Sequence, residues 1–161
     1  MMKIVQVVLR LIVGGVFVFA GVVKIWNVEI KSAHESERIA WTVKASRAPD
    51  VSGFAKDVDN YRVPPRALTN LVAITFPWIE VAAGLLLIFG IWLRPSALVI
   101  GVMLVVFLIA IGQAVARGLN ISCGCFGTVE GRKVGLTALA QDVALLAMCI
   151  WLWWREKERT Q

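Results

Sequence analysis

Residues 68–116 read LTNLVAITFPWIEVAAGLLLIFG, then IWLR, then PSALVIGVMLVVFLIAIGQAVA. These are two apolar runs, each near the ~20 residues an α-helix needs to cross a hydrocarbon core. Gly90 and Arg94-Pro95 form the turn between them. So short a connection makes the two helices antiparallel neighbours. Backbone groups in lipid must be satisfied within the segment, so the runs are helices rather than open strands. Two further runs, from about Ile4 to Trp26 and from about Val134 to Trp154, have the same character. The reading is an all-α integral membrane protein, a four-transmembrane-helix bundle forming a single domain over residues 1–161. The first run is read as a span, because it is too long for a signal peptide and no small-residue cleavage site follows it.

Composition agrees. The chain is 58% hydrophobic with 7 Trp, against ~45–50% apolar for soluble domains. The net charge of +6 does not point to nucleic acid, because Lys3, Arg94, Arg117 and Arg155 flank the apolar runs where lipid headgroups lie. Trp26, Trp78, Trp92, Trp151, Trp153 and Trp154 sit near run ends, as an aromatic belt does. Gly14, Gly15 and Gly21 mark one candidate face for close helix packing, Gly101 and Gly112 another.

The first connection, Asn27 to Arg66, is long and charged. Within it Phe54, Val58 and Tyr61 recur at helical spacing after Ser52, a candidate N-cap. Residues Ser52 to Tyr61 are therefore read as a short amphipathic helix on the membrane surface, ended by Pro64-Pro65. Four spans place both termini on one side. The long connection and the loop 117–133 share the other.

That second loop contains Ser122-Cys123-Gly124-Cys125-Phe126-Gly127. Two thiols one residue apart can cycle between dithiol and disulfide, and so small a ring is strained and readily reduced. Arg117, Arg132 and Lys133 are close in sequence, with Arg117 the candidate to stabilise a thiolate. The bland alternative is a pair of unreactive cysteines in a turn. No metal site is assigned: two thiolates need about two more ligands. Only Cys149, deep in the last run, and His34, in the charged connection, are soft candidates.

Charges inside spans are costly and face a partner or a cavity. Lys24 ends the first run, Glu80 lies in the second and Asp142 in the fourth. At 1.5 Å per residue, Asp142 falls about two turns below the cysteine side, with Glu80 deeper and Lys24 near that side. The three form a candidate polar pocket, with Gln113 and Gln141 adding hydrogen bonds. Its role is either an ion pair fixing helix register or a proton relay or quinone-headgroup site. Arg10, nearer the opposite side, is read as snorkelling.

The order Gly21-Val22-Val23-Lys24-Ile25, Asn60-Tyr61-Arg62-Val63-Pro64, Phe76-Pro77-Trp78-Ile79-Glu80, Gly84-Leu85-Leu86-Leu87, Arg117-Gly118-Leu119 and Cys123-Gly124-Cys125-Phe126-Gly127 resembles the DoxX-like membrane proteins, and within them the MauE (methylamine utilisation) branch. The resemblance implies a four-helix bacterial inner-membrane protein. It also implies a role in maturing a disulfide-rich envelope subunit beside a thioredoxin-like partner. By architecture alone the chain is similar to quinone-linked oxidoreductases of the DsbB and vitamin K epoxide reductase type, which makes a quinone the candidate cofactor. Those carry Cys-x-x-Cys where this chain has Cys-x-Cys. The charged stretch from about Val28 to Ala48 is an insertion relative to such proteins and a candidate docking surface.

The expectation is a thiol–disulfide oxidoreductase or redox accessory protein. Cys123 and Cys125 exchange electrons with a thioredoxin-like protein on the periplasmic side, above the pocket of Lys24, Glu80, Asp142 and Gln113. The rival is a non-catalytic scaffold or accessory subunit of a larger membrane complex. A solute carrier is the third reading, although no inverted repeat is visible.

Overall fold

The computed structural model describes residues 2–35, 38–60, 66–117, 128–129 and 136–159. The elements run α1 (Met2–Ile25), β1 (Glu29–Glu35), β2 (Arg38–Lys44), α2 (Ser52–Asn60), α3 (Arg66–Phe89), α4 (Leu93–Ala116), β3 (Thr128–Val129) and α5 (Leu136–Arg159). Among the described residues three segments are long and apolar enough to cross a membrane: Ile4–Ile25, Leu68–Phe89 and Leu93–Ala116. Their outward faces stay apolar, with Leu11 and Phe19 on α1, Leu71 and Ile74 on α3, and Val102 and Ile109 on α4 all exposed. A soluble surface does not carry such continuous apolar area, and lipid does cover it. The chain is a multi-pass membrane protein.

The tightest seams join α1 to α3 and α4 to α5. Glycine makes the first seam. A Cβ on Gly84 would lie 2.8 Å from the Gly14 carbonyl oxygen, and one on Gly14 would lie 2.7 Å from the Gly84 oxygen. Two helical turns further, a Cβ on Gly21 would meet the Pro77 oxygen at 2.7 Å. The two backbones touch directly, and only small residues allow that. Gly14 and Gly21 therefore pack as their spacing suggested, while a Cβ on Gly15 would have open space. The expected second face fails. Gly112 has no neighbour in reach, and Gly101 sees only Leu146, at 3.9 Å. The core between the seams holds Val13, Phe17, Leu87, Ile100, Leu104 and Leu145.

The α3–α4 turn closes as a Schellman motif. Ile91 N–H donates to the Leu86 oxygen (3.0 Å) and Gly90 N–H to the Leu87 oxygen (3.3 Å). Gly90 takes φ +76°, where glycine carries no steric penalty. Arg10 does more here than snorkel. Its Nε and Nη2 donate to the Leu87 and Ile88 oxygens at 3.1 and 3.2 Å, adding a second donor to the Leu87 carbonyl and supplying one to Ile88 at the end of α3.

Both termini of the bundle lie at this end. Gln6 Nε2 donates to Glu156 Oε2 at 3.1 Å, and the Arg94 guanidinium stacks 5.8 Å from the Trp153 ring. The opposite end carries the charged connection. Asn27, in the left-handed region at φ 43°, ends α1, and Val28 N–H reaches back to the Val23 oxygen at 3.1 Å. The chain then enters a β-hairpin that the sequence reading did not anticipate. β1 and β2 pair antiparallel from Glu29↔Lys44 to Glu35↔Arg38. β3 adds parallel to β1, through Glu29↔Thr128 and Ile30↔Val129. This tie brings the α4–α5 connection to the hairpin's base, at the α1 C-terminus.

Beyond the hairpin, Ser46 N–H and Asp50 N–H donate to the Trp26 and Ile25 oxygens at 2.9 and 2.7 Å. They lash the segment before α2 to the end of α1. The local cap of α2 is Asp50 rather than Ser52. Its Oδ1 accepts the Ser52 N–H at 2.9 Å, and that bond holds the exposed Asp50 carboxyl below its ordinary range. α2 packs against α3.

Candidate buried polar site

Four helices converge on one polar cluster. Lys24, in the last turn of α1, reaches Glu80 in mid-α3, with Nζ 2.6 Å from Oε1. Asp142, in the second turn of α5, lines the same cavity as Lys24 and Glu80. Asp57 comes from α2. Relative exposures are 3% for Lys24, 1% for Glu80, 5% for Asp142 and 7% for Asp57. The ammonium is also flanked by two aromatic faces, Phe54 of α2 and Phe107 of α4, each ring centroid 4.8 Å from Nζ. A desolvated cation gains from both faces.

The cavity has a volume of about 30 Å³, and its other walls are apolar, with Phe17, Ala20, Leu104 and Leu145 among them. Roughly 10–15 Å³ is enough for a water molecule. Two oxygens of the cluster, Glu80 Oε2 and Asp142 Oδ2, are buried without a hydrogen-bond partner from the protein. Unpaired buried acceptors are costly. A water bridging them is the arrangement that size and polarity both allow.

Lys24 is the charge that acts on all three carboxyl groups, Glu80 and Asp142 on the cavity wall and Asp57 on α2. Asp57, outside the membrane-spanning segments, shows the consequence. Burial pushes its carboxyl up to about 6, and attraction to Lys24 only partly opposes this. A folded-state value above the unfolded one means that folding takes up a proton. Asp57's favourable contribution is therefore complete below about pH 4 and is lost as pH rises through about 6. Asp57→Asn should raise unfolding stability above pH 6, by on the order of 1 kcal/mol after solvent screening. It should have little effect near pH 4. Thermal unfolding in mild detergent at the two pH values checks this, and equal effects at both would contradict it.

The structure brings Lys24, Glu80 and Asp142 together and leaves Gln113 out. Gln113 is exposed in the last turn of α4, roughly two turns beyond Phe107 at 1.5 Å per residue. Its side chain is not on the cavity wall. Arg117 is the exposed C-cap of α4, its N–H donating to the Gln113 oxygen at 3.0 Å. Cys123 and Cys125 lie outside the described residues, as do Arg132 and Lys133. Cys149 is buried in the core beside Ala97 and Leu152. Among the described residues no group of His, Cys, Asp and Glu is arranged to hold a metal ion. Asp57 was not singled out from the sequence. Its signal was the i, i+3 spacing from Phe54, which puts an acid on the apolar face of α2.

A second hollow, an open groove of about 390 Å³ between α4 and α5, is lined by outward-facing Leu98, Val102 and Ile150. Apart from the Cys149 thiol, its wall carries no chemistry.

Comparison with known proteins adds a family. The pattern described as methylamine utilisation protein MauE matches residues 2–155. The chain is 29% identical over 106 residues to methylamine utilization protein MauE of Paracoccus denitrificans, covering 65% of this chain and 57% of that protein. It is 31% identical over 98 residues to the protein of the same name from Methylorubrum extorquens, covering 60% and 53%. The chain thus spans little more than half the length of these curated relatives. No solved structure matches it.

Proposed function

This chain belongs to the methylamine utilisation protein MauE family, and on that premise we propose that it is a membrane accessory protein of methylamine utilisation acting by thiol–disulfide exchange at Cys123 and Cys125. The observation that carries the reading is the parallel pairing of Thr128–Val129 with Glu29–Ile30. It ties the connection bearing Cys-Gly-Cys to the hairpin end of the bundle. Lys24 and its acids are buried just inside that end. Thr128 follows Cys125 by three residues in sequence.

The proposed exchange balances without another reagent. One cysteine thiolate attacks a disulfide of a thioredoxin-like partner, forming a mixed disulfide and releasing a partner thiolate, which takes up a proton. The second cysteine loses its proton and displaces the partner's other sulfur, which gains that proton. Two electrons have moved from the Cys pair to the partner, and the reverse sequence runs through the same steps. Arg117 favours the thiolate form. The cluster of Lys24, Glu80 and Asp142 serves this end of the bundle as a proton store. α5 is read as the fourth span of a DoxX-like bundle in the inner membrane, with the cysteines on the periplasmic side.

Labelling of intact cells with a membrane-impermeant maleimide tests the arrangement. After mild reduction Cys123 and Cys125 should both react, and the buried Cys149 should not until the protein is unfolded. Labelling only after the inner membrane is opened would overturn the orientation. Unreactive Cys123 and Cys125 in unsealed membranes would favour the scaffold reading instead.

A further inference from the structure

The small cavity between α1, α3, α4 and α5 carries acceptors that no protein group uses. Glu80 gives Oε1 to the Lys24 ammonium at 2.6 Å and keeps Oε2 without a partner. Asp142 Oδ2 is likewise buried without one. The two residues are 1% and 5% exposed, and both line the cavity. Among the described residues, the charged groups on its wall are Lys24 from α1, Glu80 from α3 and Asp142 from α5. α4 contributes Leu104 and Phe107, and Asp57 of α2 is not on the wall. With all three groups ionised, one ammonium stands against two carboxylates, and one negative charge is left over.

We propose that this cavity binds a small primary ammonium cation, ammonium or methylammonium in size, in exchange for the proton that otherwise neutralises the Glu80–Asp142 pair. The cation takes the place of the bridging water. Its N–H groups donate to Glu80 Oε2 and Asp142 Oδ2, which are both acceptors when the carboxyls are ionised. As the cation enters, the protonated carboxyl of the pair releases its proton to water, so the charge in the cavity stays balanced. No covalent bond to the cation forms and no electrons move.

Charge, hydrogen bonding and size select this class of ligand. A leftover negative charge in a medium of low dielectric is costly, and a proton or a cation must offset it. Orphaned buried acceptors call for a ligand that donates hydrogen bonds, which an ammonium group does and a bare alkali ion does not. Nor is there a ligand set for a metal ion among the described residues. The volume of about 30 Å³, at roughly 10–15 Å³ for each water-sized group, suits one nitrogen and one methyl carbon. Ala20, Leu104 and Leu145 give the methyl an apolar wall.

The inference does not rest on the thiol reading, and its test involves neither a thiol nor a partner protein. Methylammonium chloride is titrated calorimetrically into the full chain in phosphatidylcholine nanodiscs, in two buffers of different ionisation enthalpy. The expected result is saturable binding of one cation per chain with release of one proton. Affinity should then rise about tenfold per pH unit for as long as the pair holds its proton. Potassium, which has no N–H, and tetramethylammonium, which is bulkier and also has none, should each bind at least ~10-fold more weakly. Asp142→Asn, of the same size without the charge, should weaken methylammonium on the order of 10- to 100-fold, the scale of a hydrogen bond to a charged group. It should also abolish the proton release, which a role in packing alone would not change. Ala20→Val narrows the cavity from its apolar wall and leaves all three charges in place, so it should weaken methylammonium more than ammonium. Absence of saturable binding in the parent protein, binding without proton release, or equal binding of potassium overturns the proposal, as does unchanged affinity in Asp142→Asn.

Discussion

Lys24→Met should cost about 3–5 kcal/mol of stability, the range for removing one partner of a buried ion pair. The reason is the imbalance at the site. Glu80 would lose its 2.6 Å partner while 1% exposed, and Asp142 and Asp57 would lose the cation that, among the described residues, acts on them. Met fills much of the same volume and can lie against Phe54 and Phe107, so the loss reads the charge and not a cavity. The double variant Lys24→Met/Glu80→Gln should recover a substantial part, because the worst uncompensated charge is then gone. Unfolding in mixed detergent–lipid micelles measures all three. A Lys24→Met protein within about 0.5 kcal/mol of the parent, the ordinary spread for surface changes, would show that the pair is not what holds α1 to α3 at this end. The glycine contacts at Gly14, Gly21 and Gly84 would then carry the seam alone.

Cys123→Ser and Cys125→Ser should each abolish thiol–disulfide turnover while leaving the helical content unchanged. The two variants should not fail in the same way. The one that keeps the attacking thiol should accumulate a mixed disulfide with the partner, since nothing resolves it. The other should accumulate nothing. Non-reducing electrophoresis of membranes containing a thioredoxin-like partner distinguishes them. Turnover at the parent rate in both single variants would sink the exchange mechanism. The buried Cys149 should not substitute for either thiol, since α5 holds it in the core beside Leu152.

What the sequence disclosed follows from what a helix makes readable. Depth is linear in residue number, so Lys24, Glu80 and Asp142 could be placed near one level by counting 1.5 Å per residue. Azimuth is harder when every face is apolar. Gln113 sits on a run so uniformly hydrophobic that nothing marked its side as outward, and it proves exposed. The same ambiguity separates Gly14 and Gly21, which pack, from Gly112, which faces open space. The hairpin was hidden for a different reason. The strand EIKSAHE has no clean apolar alternation, and its register is set by pairing with RIAWTVK, with opposite charges at both ends. Asp57 was hidden by its setting, a short polar helix whose acids all look solvated until the bundle is assembled beneath it. Arg10 looked like an ordinary snorkelling residue, because its role depends on α3 ending next to it.

The proposed chemistry reduces to one quantity, the midpoint potential of the Cys123–Cys125 couple. It is measured by thiol trapping in membranes poised across a series of glutathione potentials. A catalytic exchanger predicts a reversible couple between roughly −100 and −250 mV. A disulfide that stays closed below about −300 mV, as structural disulfides do, would contradict exchange and make the pair a staple of the α4–α5 connection.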